Sequence, residues 1–387
     1  MEDRTWRLAK AHEAAALGIR IQAMRIIIIT SWATDVISGS GTAVFFNAFL
    51  SGLRERGYAV EVIAPNFDTS DYIEATLKRF QFNTELRTDS RLKAADVLIG
   101  FDYDGYGLDP ANRPPLIASA HALYGDFYRW ESDPIRTMVY AQAFFDRLNM
   151  QQADRVTAGS AYAKARIVSL YGIPAEKVQV VPHGMITPTW LPMVDAEARQ
   201  PNDHPIILAV GKLYPRKRLD VLLRAVPLLT EDFPDLEVRI VGNGLEWERL
   251  HQLADELGIA AHLTWLSHLA DDAAFAREWR QADVFCHPSS QESFGYVYLE
   301  AMTLGKPIVA ADASAAPEVI GEAGLLVEAE NPSAFAEGIR RFLRDADLRA
   351  EYSRRARARA PYFTLARMID GYDQAIAAVL SNAPIKA

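Results

Sequence analysis

Two carboxylates and a run of cations are the residues of this sequence best suited to chemistry. Lys212, Arg216, Lys217 and Arg218 fall within seven residues, directly after the apolar run Ile206–Val210. They open a helical stretch, RLDVLLRAVPLLTEDFP, whose first amides add partial positive charge. Such a cluster suits a diphosphate; a solvated basic turn is the plainer alternative. Glu292 and Glu300 are separated by seven residues in the block QESFGYVYLE. Gly295 permits close backbone approach to a ligand where a helix begins, and Glu300, two turns on, can face the same side. Read alone, the spacing is weak, and Glu292 as a helix cap with Glu300 as a surface charge is the plainer reading. Gly242-Asn243-Gly244, after VRIV, is a tight turn with exposed amides or simply a turn.

The first half of the chain offers less definite chemistry. GFDYDGYG carries Asp102 and Asp104, an Asp-x-Asp open to three uses: a metal, an acceptor hydroxyl, or turn and cap duty. His121 ends the run PLIASAH, where a lone histidine is structural or lines a cleft. Tyr103, Tyr106, Tyr124, Phe127, Tyr128 and Trp130 are rings for stacking on sugars, or core. No Ser/His/Asp triad, zinc spacing or cofactor-bearing lysine context is visible.

These residues need elements to hold them. After Met24, short apolar runs alternate with helical periods, as in parallel sheets. RIIIIT, AVEVIAP, ADVLIGF, PLIASAH, ADRVTAGS and KVQVVPHG read as strands, with helices at AVFFNAFLSGLRERG, 133–152 and 161–171. After the polar stretch DAEARQPNDHP the pattern restarts: IILAV, LEVRIV, HLTWL, ADVFCHP, KPIVAAD and GLLVEAE are strands with helices between them. Two doubly wound α/β units follow, with ligands expected beyond the carboxyl ends of the strands, in a cleft between the sheets. The candidate residues do cluster in loops after strands.

Composition sets the outer limits. The 387 residues carry 41 Lys+Arg and 50 Asp+Glu, a net charge of −9, which argues against a generally basic nucleic-acid binder. The single cysteine, Cys286, excludes an intramolecular disulfide and reads as a buried core thiol. No apolar run approaches the roughly 20 residues of a membrane span. Residues 1–23 lack the apolar core of a signal peptide; they read as an amphipathic helix or as an extension before a start at Met24.

Taken in order, these elements resemble glycosyltransferase family four, retaining transferases of GT-B architecture. The resemblance rests on GKLYPRKRLDVLLRA, VGNGLEWERLHQLADELG, LTWLSHL and the long block from QADVFCHPSSQESFGYVYLEAM to GEAGLLVE. In the first half it rests on SGSGTAVFFNAFLSGLRERGYAVEV and ADRVTAGSAYAKARIVSLYGIPAEKVQVVPHG. It implies two facing Rossmann-like domains: 24–195 on the acceptor side and 196–360 on the donor side. Residues 1–23 would be an N-terminal extension, and 361–387 a helical segment packing back on the first domain.

The resemblance also implies roles. Lys217 would hold the donor diphosphate, helped by Lys212, which stands where arginine is usual and lacks its two-pronged fork. Glu292 would hold donor-sugar hydroxyls, and Glu300 the ribose diol. Phe294, Gly295 and Tyr296 would bring backbone amides to sugar and phosphate. Gly211 and Gly242 belong to the donor loops, and the base would sit near Leu266–Leu269. Gly41 would meet the distal phosphate, with Ser40 in place of a first glycine, and His121 would contact the donor sugar. Asp102, Asp104, Tyr124 and Trp130 remain the acceptor-side candidates.

The reaction implied is hexose transfer from a UDP- or GDP-sugar to a hydroxyl of a saccharide, lipid-linked or small-molecule acceptor, by front-face substitution. No metal or other cofactor is expected. An epimerase or phosphorylase on the same fold, or a non-catalytic sugar-nucleotide-binding subunit, are the alternatives. A cytoplasmic location is expected, with peripheral contact at the inner membrane face left open through residues 1–23.

Overall fold

A computed structural model describes residues 24–32, 41–67, 69, 71–185, 191–195, 202–267, 269 and 271–381. Residues 1–23, with the extension expected there, and Ser40 lie outside the described residues.

Two six-stranded sheets, parallel throughout, form the frame. The first contains β1 (Arg25–Ile29), β2 (Ala59–Ile63), β3 (Val97–Phe101), β4 (Leu116–Ala120), β5 (Arg155–Ala158) and β6 (Val178–Val180), in the order β2-β1-β3-β4-β5-β6. The second contains β7 (Ile206–Val210), β8 (Glu237–Val241), β9 (Leu263–Leu266), β10 (Val284–His287), β11 (Ile308–Ala311) and β12 (Leu325–Val327), in the order β12-β11-β10-β7-β8-β9. Each sheet begins mid-sheet and winds both ways, as the sequence pattern implies, and the two together make the GT-B architecture that the resemblance implies. The central strands are covered on both faces, which is why they read as unbroken apolar runs: Ile26 to Ile29 are all fully buried.

Helices seal both faces. The helix Ala161–Tyr171 is capped by the Ser160 hydroxyl on the Ala163 amide and stops at Gly172, whose φ of 67° suits glycine. One helix, Tyr72–Glu85, falls in a stretch with no clear sequence period; Asp71 caps it through the Glu74 amide. It carries Arg79 and Asn83 inward.

One apolar cluster spans both units, from Ile26 and Phe45 to Phe285, Phe294 and Tyr298. The chain also crosses back. The helix Leu365–Ser381 lies on the first unit, where Arg56 pairs with Asp370 at 2.7 Å and Asp373 at 2.8 Å. A Cβ on Gly52 would come within 2.6 Å of Ile369, so only glycine lets the two helices approach this closely. None of the described helices is long and apolar enough to cross a membrane.

Candidate functional site

The carboxyl ends of β7, β8 and β10 build the centre of the site. Gly211 follows β7 and Gly242 follows β8, with φ of 149° and 144°. Any Cβ on Gly242 would sit 1.9 Å from the Gly211 carbonyl oxygen, so the two loops pack backbone to backbone. The glycines therefore do more than turn the chain: they hold the Lys212 loop against the next one.

Past Gly211 the chain enters a single 3-10 turn, Pro215–Lys217, whose three residues per turn send successive side chains about 120° apart. Lys217 points to Glu292 and ion-pairs with its Oε1. Arg216 turns away, stacking on Phe127 at 4.5 Å and Tyr214 at 5.0 Å. Arg218, left-handed with φ of 51°, pairs with Glu330 at 2.6 Å and Asp220 at 3.0 Å. Proximity in sequence thus overstates the anion site, for Arg216 and Arg218 are engaged elsewhere. Lys212 is half-buried beside Gly211.

Glu292 has a second partner that sequence reasoning passed over. His287, the last residue of β10, places Nε2 at 2.7 Å from the same Oε1. Burial holds the His287 ring below its ordinary pKa, so the neutral ring donates from Nε2. Burial alone would raise the Glu292 pKa, but Lys217 and the His287 hydrogen bond overcome it and hold the carboxyl well below the usual range. The Ser314 hydroxyl accepts from the Glu292 amide at 2.9 Å and fixes the loop. Position was the missed signal: His287 ends a strand, and His121 directly follows one.

Gly295 takes φ of 89° where the helix Tyr296–Thr303 begins, and a Cβ there would strike the Tyr298 ring at 2.5 Å. That helix carries Glu300 in its second turn, half-buried, and no described cation pairs with it. Burial pushes the Glu300 carboxyl up to about 8. Leu269 is half-buried against the shared apolar cluster.

Across the cleft, His121 directly follows β4. Its ring rests 4.3 Å from Phe45 and 5.2 Å from His183, and His183 lies 4.7 Å from Phe294. Burial lowers the His121 pKa to about 3, so the ring is neutral. His183 is also neutral for the same reason, and its Nδ1 is buried without a partner. It was not singled out in the sequence, although it bridges His121 and Phe294. Gly41 is the first residue of the helix Gly41–Glu55.

The acceptor-side candidates divide. Asp102 and Asp104 are fully buried. Asp102 accepts from the His121 and Ala122 amides at 2.6 and 2.9 Å and from Trp32 Nε1 at 2.8 Å. Asp104 accepts from the Ser31 amide and hydroxyl, both at 2.6 Å, and from Asn83 at 2.8 Å. Their oxygens serve protein donors, so the acceptor reading gives way to turn and cap duty. Tyr124 is also buried, its hydroxyl 3.2 Å from Arg79. Only Trp130 stays half-buried at the rim, its ring 5.7 Å from the Arg218 guanidinium. Among the described residues no three or more His, Cys, Asp or Glu side chains gather as a metal site.

Comparison with known proteins follows this division. Residues 39–187 match the model "Glycosyltransferase Family 4", and 194–359 match "Glycosyl transferases group 1". The GDP-mannose-dependent alpha-(1-6)-phosphatidylinositol monomannoside mannosyltransferase of Mycolicibacterium smegmatis is 32% identical over 244 residues. That match covers 59% of this chain and 61% of the relative. The D-inositol 3-phosphate glycosyltransferase of Thermobispora bispora is 33% identical over 254 residues, 61% of this chain and 59% of the relative. The chain thus spans about three fifths of the length of each. In fold it resembles sucrose-phosphate synthase from Thermosynechococcus elongatus, with a TM-score of 0.77 at 17% identity, covering 93% of this chain and all of that one.

Proposed function

The chain belongs to glycosyltransferase family four, and from that premise we propose that it is a retaining hexosyltransferase using a nucleotide diphosphate sugar. The observation that carries the reading is the buried Lys217–Glu292–His287 group at the floor of the cleft. An ionised carboxylate held on Oε1 by two donors keeps its second oxygen for a ligand hydroxyl. That suits the donor sugar. Lys217, poised on the same carboxylate, can share its charge with a departing diphosphate, with Lys212 on the same loop after β7. Glu300, unpaired and protonated near neutral pH, supplies the ribose contact once it ionises or donates.

Front-face substitution asks little covalent chemistry of the protein. The departing phosphate oxygen takes the acceptor proton, while Phe294, Gly295 and Tyr296 position the sugar and His121 lines its far side. His121 and His183 are neutral, so they shape the pocket and hydrogen-bond without adding charge. Gly41 would meet the phosphate from the first unit.

The relatives suggest GDP-mannose as the first donor to test, with UDP-glucose beside it for the UDP-sugar reading, and D-inositol 3-phosphate and phosphatidylinositol monomannoside as acceptors. A donor at 100 times its dissociation constant should add about 2.7 kcal/mol of apparent stability. Glu292→Ala and Lys217→Ala should abolish product formation; full activity in both would refute the assignment. Free epimer or sugar phosphate in place of a glycoside would select the alternative reactions on this fold. Vesicle flotation with and without residues 1–23 tests peripheral contact at the inner membrane face.

A further inference from the structure

The 3-10 turn Pro215–Lys217 belongs to the second unit, yet one of its side chains reaches the first. Arg216 lays its guanidinium on Phe127 at 4.5 Å and lies 3.9 Å from Glu131 Oε1. Both charged groups are withdrawn from water, with side chains 19% and 4% exposed. The same guanidinium lies over the Tyr214 ring of its own loop at 5.0 Å. The Arg216 carbonyl accepts from the Ser290 amide at 3.0 Å, which ties the turn to the loop bearing Glu292. A second bridge runs alongside, from Gln291 Nε2 to Asp126 at 3.2 Å. Arg218, on the far side of Lys217, lies over Trp130 of the same first-unit segment at 5.7 Å.

Three consecutive cations thus have three jobs, and the outer two engage the segment 126–131 of the opposite unit. A tight turn of this kind moves as one piece, since its backbone is closed by the Lys217 amide on the Tyr214 carbonyl at 2.9 Å. Whatever holds Arg216 against Phe127 and Glu131 therefore also sets where Lys217 points.

We infer that Arg216 is a positioning residue that makes the placement of Lys217 depend on closure of the cleft by the acceptor-side segment 126–131. The inference rests on the hexosyltransferase reading for its kinetic consequence, but its structural part stands apart from it. An open cleft would carry a misaligned Lys217, so donor would be held without being spent on water. Acceptor binding, by holding segment 126–131 against the turn, would keep Arg216 down and Lys217 at the diphosphate. Arginine is needed because a planar guanidinium can stack on Phe127 and Tyr214 while facing a carboxylate, which lysine cannot do.

Two measurements test this. Arg216→Ala, Arg216→Lys and Glu131→Gln are compared with wild type for GDP-mannose and UDP-glucose binding by thermal shift, and for transfer to D-inositol 3-phosphate. Donor affinity should stay within about twofold, while kcat/KM for acceptor falls about tenfold in Arg216→Ala. Arg216→Lys should recover only part of that loss, and Arg216→Ala with Glu131→Gln should lose no more than the worse single variant. Equal losses in donor binding and transfer, or losses that multiply, overturn the inference. The second measurement needs no substrate. Spin labels at Phe144→Cys and Asp255→Cys, both exposed and in different units, report the spread of interunit distances; Cys286 is fully buried and does not label. Arg216→Ala with Glu131→Gln should add a longer component, and an unchanged distribution overturns the inference. If labels respond but no nucleotide sugar is bound or turned over, the clamp stands and the hexosyltransferase reading falls.

Discussion

Replacing Lys217 by methionine should separate the charge of the site from its packing. The Lys217 and Glu292 side chains are only 15% and 10% exposed, so the variant strands a buried carboxylate. Breaking such a pair from one side costs about 3–5 kcal/mol. His287 still donates to Glu292, which favours the lower figure, about 3 kcal/mol. For a unit of this size that is a drop of about 6–12 °C in melting temperature. Adding Glu292→Gln removes the stranded charge while keeping an oxygen for His287. The double variant should regain about 2 kcal/mol and still transfer no sugar. The pH dependence has a definite sign. The folded carboxyl titrates below its ordinary value of 4.5, so the pair stabilises fully above that pH and is lost as pH falls through the folded value. The gap between wild type and Lys217→Met should therefore be full at pH 7 and narrow only as pH falls below 4.5 toward the folded value. Scanning calorimetry at pH 7 and about pH 3, with transfer assayed at pH 7 on the same preparations, decides. Wild-type stability in Lys217→Met, or costs that simply add in the double variant, would refute the reasoning.

Glu300 gives the opposite pH sign. With its carboxyl raised to about 8, the folded state keeps a proton that the unfolded chain releases above 4.5, so stability declines between those values. Glu300→Gln should gain melting temperature over wild type from pH 5 to 8.5, and a constant offset across that range would contradict this. Gly242→Ala should cost more than 2 kcal/mol and donor binding, because its Cβ meets the Gly211 carbonyl at 1.9 Å. Gly258→Ala, with φ of 67° and nothing within 4 Å, should cost only about 1 kcal/mol, and comparable melting temperatures for the two would count against the packing account. Asp102→Asn sets an amide N–H against the Trp32 indole N–H, so it should cost about 1–3 kcal/mol and Trp32→Phe should recover part of it; strict additivity by thermal denaturation would show the two do not meet.

Much of the fold was legible because parallel strands buried on both faces leave a strong mark. RIIII and IILAV have few other readings once helices and turn residues flank them. The rule that ligands gather after strands found the Glu292 and Lys217 loops. Applied without preference for acidic and basic residues, it would also have found His287 at the end of β10. Direction was harder to read. Asp102 and Asp104 look like a ligand pair in GFDYDGYG, but φ of 53° at Asp102 and donors from Ser31, Trp32 and Asn83 turn them inward. Those donors are distant in sequence, and Asn83 lies on a helix with no clear period. The four cations failed as a cluster for a local reason: a 3-10 turn spreads neighbours that a list of residues puts together.

The returning helix Leu365–Ser381 reverses the order in which the protein can be completed during synthesis. At about 5–20 residues per second, about 15–70 s separate the emergence of β1 from that of this helix. Throughout that interval the first sheet lacks the partner that buries Phe49 and fills the notch at Gly52. Meanwhile all six strands of the second sheet, β7 to β12, have left the ribosome and can assemble. The half that is made first is thus finished last, and a stalled or clipped chain would present a folded second unit beside an uncovered first one.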